Sequence, residues 1–217
     1  MSNLWTKPLV IGLAGQKQSG KSTAAEFIRV TLSSMKVVEY SFADKVKRLC
    51  IDILGLEHHH CYGDNAAKDM PTQYMWEDVA EEIRLKYGNG IPMTGVMSGR
   101  HVMQLQGELQ RRMFCEDLWI RLAVDSARRA HGIDVAVFSD IRHKNEVKFI
   151  SNIGHIIFFA KRTNNSKADS EREILEINWP SVRNCHIIDN TNMTIADKNV
   201  AVHQILEEIG LVGTATL

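Results

Sequence analysis

The sequence predicts an α/β fold with a parallel sheet of about five strands flanked by helices. Short apolar runs rich in branched residues alternate with amphipathic segments of helical period, which is typical of β-α-β units. The runs are apolar throughout, as expected of strands that helices cover on both faces. The predicted strands are Leu9–Ala14, Val37–Phe42, Val135–Ser139, Ile156–Ala160 and His186–Ile188.

Amphipathic segments between these runs predict the helices. Lys21–Leu32 and Lys45–Leu54 each place apolar side chains on one face. Glu116–His131 carries acidic residues in its first turn and basic residues in its last turn, which suits the helix dipole. We also expect helices around Glu77–Tyr87 and over residues 100–113.

Composition and charge narrow the classes of protein. The chain has 217 residues, 26 basic and 26 acidic side chains and no formal net charge. This balance gives no global reason to bind nucleic acid or an anionic membrane. No apolar run approaches the roughly 20 residues that span a bilayer. Four separated cysteines without a CxxC pair favour a reduced, cytoplasmic protein.

Two polar stretches interrupt the alternation of strands and helices. We expect a single domain, 1–217, with an excursion at about 55–113 and a lid-like segment at about 161–184. Excursions of this kind commonly carry binding functions. Within the first, His58–Cys61 is predicted to be a solvated, flexible loop, since no partner pair has metal-finger spacing. Trp76 is predicted to pack, although it has the best claim among the tryptophans to a base contact.

The strongest motif lies at residues 15–22. GQKQSGKS matches G-x-x-x-x-G-K-[ST], with a predicted strand before it and an amphipathic helix starting inside it. Backbone N–H groups of such a loop point at phosphate oxygens, and the helix N-terminus adds partial positive charge. We expect Lys21 to reach the β- and γ-phosphates and Ser22 to ligate Mg²⁺. Thr23 is expected to bond nearer the α-phosphate. The motif therefore predicts a nucleoside triphosphate with Mg²⁺.

The strand Val135–Ser139 is followed by Asp140 and Arg142. An Asp at the carboxyl end of a parallel strand lies on the ligand side of the sheet. Arg142 suits a second phosphate better than it suits the activation of water. The alternative is that Asp140 caps the next helix and that Arg142 is solvated.

A polar stripe is predicted on the helix over 100–113. Arg100, Gln104, Gly107 and Arg111 fall on one face, where Arg can bind phosphate and Gln can bond a base edge. A glycine inside a helix suggests that another group approaches closely. A merely solvated face remains the alternative.

A third cluster opens the helix after the second strand. Asp44 is either the helix N-cap or a ligand-binding residue. Lys45 and Lys47 oppose the helix dipole slightly, which hints at a nearby anion.

Together these segments resemble the deoxynucleoside monophosphate kinases typified by T-even bacteriophages, within the P-loop nucleoside monophosphate kinases. The resemblance implies a P-loop kinase fold with a nucleoside monophosphate-binding excursion and a lid. It also implies Mg²⁺-dependent transfer of the γ-phosphoryl of ATP to a deoxynucleoside 5′-monophosphate. The matching segments are GQKQSGKST at 15–23, SFADKVK at 41–47, RHVMQLQG at 100–107 with Trp119 downstream, SDIRHKNE at 139–146, and a strand plus Arg at 156–162.

The resemblance also implies a set of site residues. Arg162 and the following segment would supply the lid, but Ala168 stands where the family often has His. The residues expected to serve ATP and Mg²⁺ are Gly15, Lys17, Ser19, Gly20, Lys21, Ser22 and Thr23, with Ser22 on the metal. Those expected around the acceptor are Asp44, Lys47, Arg100, Gln104, Arg111, Asp140 and Arg142. The expected catalytic residues are Lys21, Asp140, Arg142 and Arg162.

Two alternatives stay open at this point. One is another small-molecule P-loop kinase, and the other is an ATP-hydrolysing switch that acts through a partner. The absence of an Asp-Glu pair after Phe138 counts against such a switch or motor. The expected partners are nucleotide substrates, with no nucleic acid and no membrane. A homodimer is implied by the resemblance, as is the host cytoplasm if a phage encodes the chain.

Overall fold

The computed structural model describes residues 8–160 and 173–213. Two compact units are distinguished, and each is described by itself. The sheet unit comprises Met1–Phe42 with Ile120–Leu217, and the insert unit comprises Ala43–Trp119. Arg162 and Ala168, on which the lid prediction depends, lie outside the described residues.

The sheet unit contains the predicted parallel sheet, which is confirmed. Its strands stand in the order β2-β5-β1-β6-β7, and every neighbouring pair is parallel. All carboxyl ends therefore meet at one edge, with β1 in the centre. The strands are β1 (Leu9–Gly15), β2 (Val37–Tyr40), β5 (Val135–Ile141), β6 (His155–Ala160) and β7 (Cys185–Asp189).

The helices alternate with these strands or belong to the insert unit. Where helices were predicted, helices are found, with shifted ends. They are α1 (Lys21–Thr31), α2 (Phe42–Asp52), α3 (His58–Tyr62), α4 (Asn65–Lys68), α5 (Glu81–Tyr87), α6 (Gly99–Met113), α7 (Leu118–Arg129), α8 (Lys144–Ser151) and α9 (Ile195–Glu208).

One core layer of the sheet unit lies between the central strands and α1 with α9. Ile11, Leu13 and Phe159 of the strands are fully buried against Ile28 of α1 and Val202 of α9. Full burial of each such side chain contributes about 1.5–3 kcal/mol. This packing fixes the start of α1, and with it the loop that precedes α1.

The insert unit contains a small antiparallel sheet that the sequence did not predict. It pairs β3 (Pro71–Met75) with β4 (Val96–Ser98). The exposure of β3 alternates along the strand, and its residues include Thr, Gln and Pro. Such a short, half-polar strand lacks the continuous apolar run that marks the main sheet.

Trp76 follows β3 and is a packing residue, as predicted. Its side chain is 1% exposed, and its ring packs against the rings of Tyr87 and His101. The possibility of a base contact is therefore excluded for Trp76, since a buried ring offers no free face.

The prediction of a solvated, flexible loop at His58–Cys61 was wrong. These residues form α3, in which His60 and Cys61 are buried. A Cβ atom on Gly99 would lie 2.7 Å from the Cβ of His60, so the missing side chain at 99 lets α3 and α6 approach. Among residues 8–160 and 173–213, no group of three or more His, Cys, Asp or Glu side chains could hold a metal ion.

No helix in the described part of the chain combines the length and the apolar character needed to cross a bilayer.

Candidate functional site

The glycine-rich loop follows the central strand of the sheet and leads into α1. Gly15, Gln18 and Gly20 all have φ in the left-handed region, at 147°, 62° and 90°. A Cβ on Gly15 would lie 2.6 Å from Ser19 Oγ and 2.8 Å from the carbonyl oxygen of Phe159. Both conformation and space therefore require glycine at position 15.

Lys21 begins α1 and folds back over the loop. Its Nζ donates to the carbonyl oxygens of Gly15 and Gln16 at 2.6 and 2.7 Å, and to Ser19 Oγ at 3.4 Å. Ser19 itself is buried, whereas Lys17 is exposed at the outer turn of the loop. The ammonium is thus held by the backbone of the same loop whose N–H groups are predicted to bind phosphate.

The first turn of α1 has the chemistry that a triphosphate with Mg²⁺ needs. Ser22 and Thr23 are exposed, and the first turn contains no acidic residue. A hydroxyl oxygen is a ligand type that Mg²⁺ accepts together with phosphate oxygens and water. The residues present therefore fit an Mg²⁺-bound triphosphate.

Asp140 lies at an irregularity of β5, next to the central strand. Gly12 and Ala14 of β1 pair with Phe138 and Ile141, so one residue of β1 lies opposite two of β5, Ser139 and Asp140. An extra residue of this kind re-aims a side chain, and such irregularities are common beside functional sites.

The Asp140 carboxylate is directed at the start of α2. It accepts the Ser41 hydroxyl at 2.5 Å and the backbone N–H of Phe42 at 3.0 Å. Two of the alternatives that the sequence left open are thereby excluded. Asp140 caps α2 rather than the helix that follows it, and Asp44 is not the N-cap because α2 already begins at Phe42.

The helix after β5 is capped by Glu146 instead. Glu146 Oε2 accepts the backbone N–H groups of Arg142 at 2.6 Å and His143 at 2.9 Å. Burial raises the pKa of Glu146 to about 6, although His143 and the two N–H donors favour the charged form. This cap fixes the backbone at Arg142, whose exposed guanidinium makes no hydrogen bond or ion pair with any described residue.

The segment after residue 172 is fastened to the same capped turn. Glu173 accepts the backbone N–H of Lys144 at 2.8 Å, and its other oxygen lies 2.8 Å from His143 Nδ1. Burial opposes ionisation of Glu173, but these two contacts hold its pKa below the ordinary value. Glu173 therefore lies beside the turn that carries Arg142.

In the insert unit, Asp44 and Lys47 of α2 both contact Tyr62 of α3. Asp44 accepts the Tyr62 hydroxyl and also Arg48 Nε, the latter at 2.8 Å. The Lys47 ammonium lies 4.6 Å from the centre of the Tyr62 ring. Burial and the Asp44 carboxylate raise the pKa of Tyr62 to about 12, so its phenol is neutral at pH 7.

Arg100 of α6 is bound to the end of α4. Its Nε donates to Asp69 Oδ1 at 2.6 Å, and a terminal nitrogen donates to Asn65 Oδ1 at 3.2 Å. These contacts orient the guanidinium near Lys68, a residue that no sequence motif marked. Burial, followed by the charges of Lys47 and Arg100, lowers the pKa of Lys68. Lys47, Lys68 and Arg100 form what we call the cation cluster.

The remaining residues of the predicted α6 stripe differ in their surroundings. Gln104 is exposed, and Arg111 is half-buried with no hydrogen-bond partner for its Nε among the described residues. A Cβ on Gly107 would lie 3.7 Å from the methyl groups of Val46, which is ordinary contact. The Gly107 carbonyl accepts the indole N–H of Trp119 at 2.9 Å.

No protein-family model matches the chain. A protein of Acanthamoeba polyphaga mimivirus, whose curated name provisionally assigns it as a deoxynucleotide monophosphate kinase, is 26% identical over 193 residues. The match covers 87% of this chain and 91% of that protein, and it confirms the resemblance drawn from the motifs.

Two similar solved structures are described as kinases. Thymidylate kinase from Candida albicans has a TM-score of 0.43 at 10% identity, covering 94% of this chain and 93% of its own. A protein from Chloroflexus aurantiacus, provisionally described as a kinase, has a TM-score of 0.40 at 13% identity, with 93% and 97% covered.

Each unit thus gathers a subset of the predicted residues. The sheet unit places the loop of residues 15–20 and the Asp140–Arg142 turn at the carboxyl edges of adjacent strands. The insert unit gathers Asp44, Lys47 and Arg100 around α3 and α4. Lys68 was missed because no periodic pattern links α4 to the neighbouring helices. A lysine beside Asp69 in a polar stretch was the only signal.

Proposed function

We propose that this protein is an ATP-dependent nucleoside monophosphate kinase that phosphorylates a deoxynucleoside 5′-monophosphate to the diphosphate. The observation that carries the proposal is the complete phosphate-binding loop at the end of the central strand, one strand away from Asp140 and Arg142. The name of the mimivirus relative supports the class of acceptor.

The loop residues bind ATP in this proposal. The backbone N–H groups from Gly15 to Lys21 donate to phosphate oxygens, and Lys21 leaves the loop carbonyls to follow the transferring phosphoryl group. Ser22 supplies a hydroxyl ligand to Mg²⁺, which when bound neutralises phosphate charge. Lys17, Ser19, Gly20 and Thr23 complete the ATP-binding set.

The acceptor phosphate is bound by cations. The cation cluster and Arg142 supply positive charge, while Gln104 is available to bond a base edge. Asp44, Arg111 and Asp140 complete the acceptor-binding set. Arg162 is assigned to a lid whose closure excludes water, because water would otherwise consume ATP.

The transfer needs no general base. A phosphate monoester has a second pKa of about 6, so the acceptor is already largely a dianion near pH 7. One of its oxygens forms a bond to the γ-phosphorus as the bridge to the β-phosphate breaks, and ADP leaves with that electron pair. Positioning and charge neutralisation therefore supply the catalysis.

A coupled assay of ADP formation tests the proposal. The purified protein is supplied with ATP, Mg²⁺ and each of the four deoxynucleoside monophosphates in turn, with the ribonucleotides as comparison. We expect acceptor-dependent ADP formation and a deoxynucleoside diphosphate product. Lys21→Ala should reduce turnover at least tenfold, whereas Arg29→Ala, which removes an exposed cation of the same helix, should not. ATP hydrolysis that is independent of every acceptor would contradict the proposal and favour a switch.

A further inference from the structure

Two side chains from the C-terminal part of the sheet unit bind the outer face of the phosphate-binding loop. Asn190, just after β7, donates from Nδ2 to the carbonyl oxygen of Ser19 at 2.6 Å. Lys198, in the first turns of α9, donates from Nζ to the carbonyl oxygen of Gly20 at 3.3 Å. Two successive loop carbonyls therefore accept from side chains elsewhere in the chain, and the Gly20 carbonyl also accepts the backbone N–H of Ala24 in α1 at 3.0 Å.

Because the peptide bond is planar, these two contacts also fix the direction of two backbone N–H donors. In a planar trans peptide the C=O and the following N–H point in opposite directions. No cis peptide occurs among the described residues. Fixing the carbonyls of Ser19 and Gly20 on one side therefore directs the N–H groups of Gly20 and Lys21 to the other side. Those N–H groups are the donors on which phosphate binding by such a loop depends.

Lys198 is also an unusual buried cation. Its residue is 5% exposed, and it makes no ion pair with any described carboxylate. The neighbouring Asp197 is exposed, and its carboxylate accepts the hydroxyl of the N-cap residue Thr194 at 2.7 Å. Burial lowers the pKa of Lys198. Burial disfavours the charged ammonium, so an anion bound near Lys198 would stabilise it.

The loop and the lysine fit each other closely. A Cβ on residue 20 would lie 2.7 Å from Lys198 Nζ, and Gly20 has a φ of 90°. The lysine amine thus occupies the space that a side chain at residue 20 would need. Any anion bound at the N–H groups of Gly20 and Lys21 would lie one peptide away from this buried ammonium.

We propose that Asn190 and Lys198 are positioning residues that hold the N–H groups of Gly20 and Lys21 toward a bound polyphosphate, with the buried Lys198 ammonium as an additional counter-charge. This inference rests on the proposed function only in that the loop binds the phosphates of ATP. It does not depend on the identity of the acceptor.

The test compares Lys198→Met and Asn190→Ala with wild-type protein and with Lys148→Met, an exposed lysine on α8. The dissociation constants of ADP and of inorganic tripolyphosphate are measured by calorimetry, and the melting temperature is measured without ligand. We expect Lys198→Met to weaken both ligands at least tenfold and Asn190→Ala to weaken them at least threefold. Lys148→Met should bind like the wild type.

Steady-state kinetics separates positioning from general damage to the fold. We expect KM for ATP to rise in both variants while KM for the acceptor stays unchanged. Should Lys198→Met fold poorly, Asn190→Ala decides, since Asn190 is only half-buried. Wild-type affinity for ADP and tripolyphosphate in a folded variant would overturn the inference. Polyphosphate binding that is lost in the variants, in a protein without kinase activity, would uphold it while the proposed function failed.

Discussion

The carboxylate of Asp140 accepts the hydroxyl hydrogen of Ser41 at 2.5 Å, and this contact joins the ends of two neighbouring strands. The same carboxylate caps α2 through the backbone N–H of Phe42. A residue that the sequence assigns to the acceptor thus has a measurable structural role as well.

Removing this cap should destabilise the fold. Asp140→Ala leaves the Ser41 hydroxyl and the Phe42 N–H without their acceptor, and we expect a loss of about 1–3 kcal/mol in the free energy of unfolding. Asp140→Asn retains one acceptor oxygen and should lose less. Urea denaturation of both variants measures the difference. Asp134→Ala is not a suitable control, because the Asp134 carboxylate accepts the backbone N–H of Lys36. Equal stability of Asp140→Ala and wild type would contradict the observed contacts.

Arg142→Ala should lower activity while leaving the free energy of unfolding nearly unchanged. The Arg142 side chain is exposed and has no hydrogen bond within the described residues, so we expect the free energy of unfolding to change by less than about 0.5 kcal/mol. Turnover should fall at least tenfold, since the proposed function gives this guanidinium a phosphate to bind. Arg129→Ala, on the exposed surface of α7, is the matched control. Near-normal turnover in a folded Arg142→Ala protein would remove its assigned role.

The main sheet and the phosphate-binding loop were predictable because their signals are local. A continuous apolar run such as Ile156–Ala160 indicates a strand covered on both faces, and the loop motif is a contiguous string. The short strand β3 and the helix α3 were missed because tertiary packing creates them. His60 packs closely against Gly99 because residue 99 has no side chain, and no local pattern encodes that contact.

The candidate site shows the same division. Asp140 and Arg142 were found because they follow a strand, where polar residues reach the ligand edge of a sheet. Asn190 and Lys198 were not found, since their role depends on which loop carbonyls they reach. Such contacts join residues separated by more than 170 positions in the chain.

Removing a charge from the cation cluster should change the KM for the acceptor and not the KM for ATP. Lys68 lies near two other cations and makes no hydrogen bond with a described residue, so Lys68→Met should not lower stability. If the cluster binds the acceptor phosphate, KM for the acceptor should rise at least fivefold while KM for ATP is unchanged. Lys86→Met in the same unit, whose amine binds Glu108, is a control that should leave the acceptor KM unaltered. An unchanged acceptor KM in Lys68→Met would exclude the cluster as the phosphate site.

Replacing Glu146 by Gln should stabilise the protein, by an amount that depends on pH. Burial raises its pKa from 4.5 to about 6, so the folded state favours the protonated form. Its contribution to stability is therefore complete below about pH 4.5 and is lost as the pH rises through 6. Glu146→Gln keeps an oxygen that can accept from Arg142 and His143, since a single oxygen accepts both now. We expect the variant to match wild type near pH 4.5 and to exceed it by about 1–2 kcal/mol above pH 7.

Denaturant unfolding of wild type and Glu146→Gln between pH 4.5 and 8 measures this difference. The gap between the two free energies should open mainly from pH 4.5 to 6.5, because that is where wild-type Glu146 ionises against the cost of burial. Glu146→Ala is the informative control, since it leaves the N–H groups of Arg142 and His143 without their acceptor. It should be less stable than Glu146→Gln at every pH. A gap that does not vary with pH would mean that the carboxyl ionises normally in the folded protein.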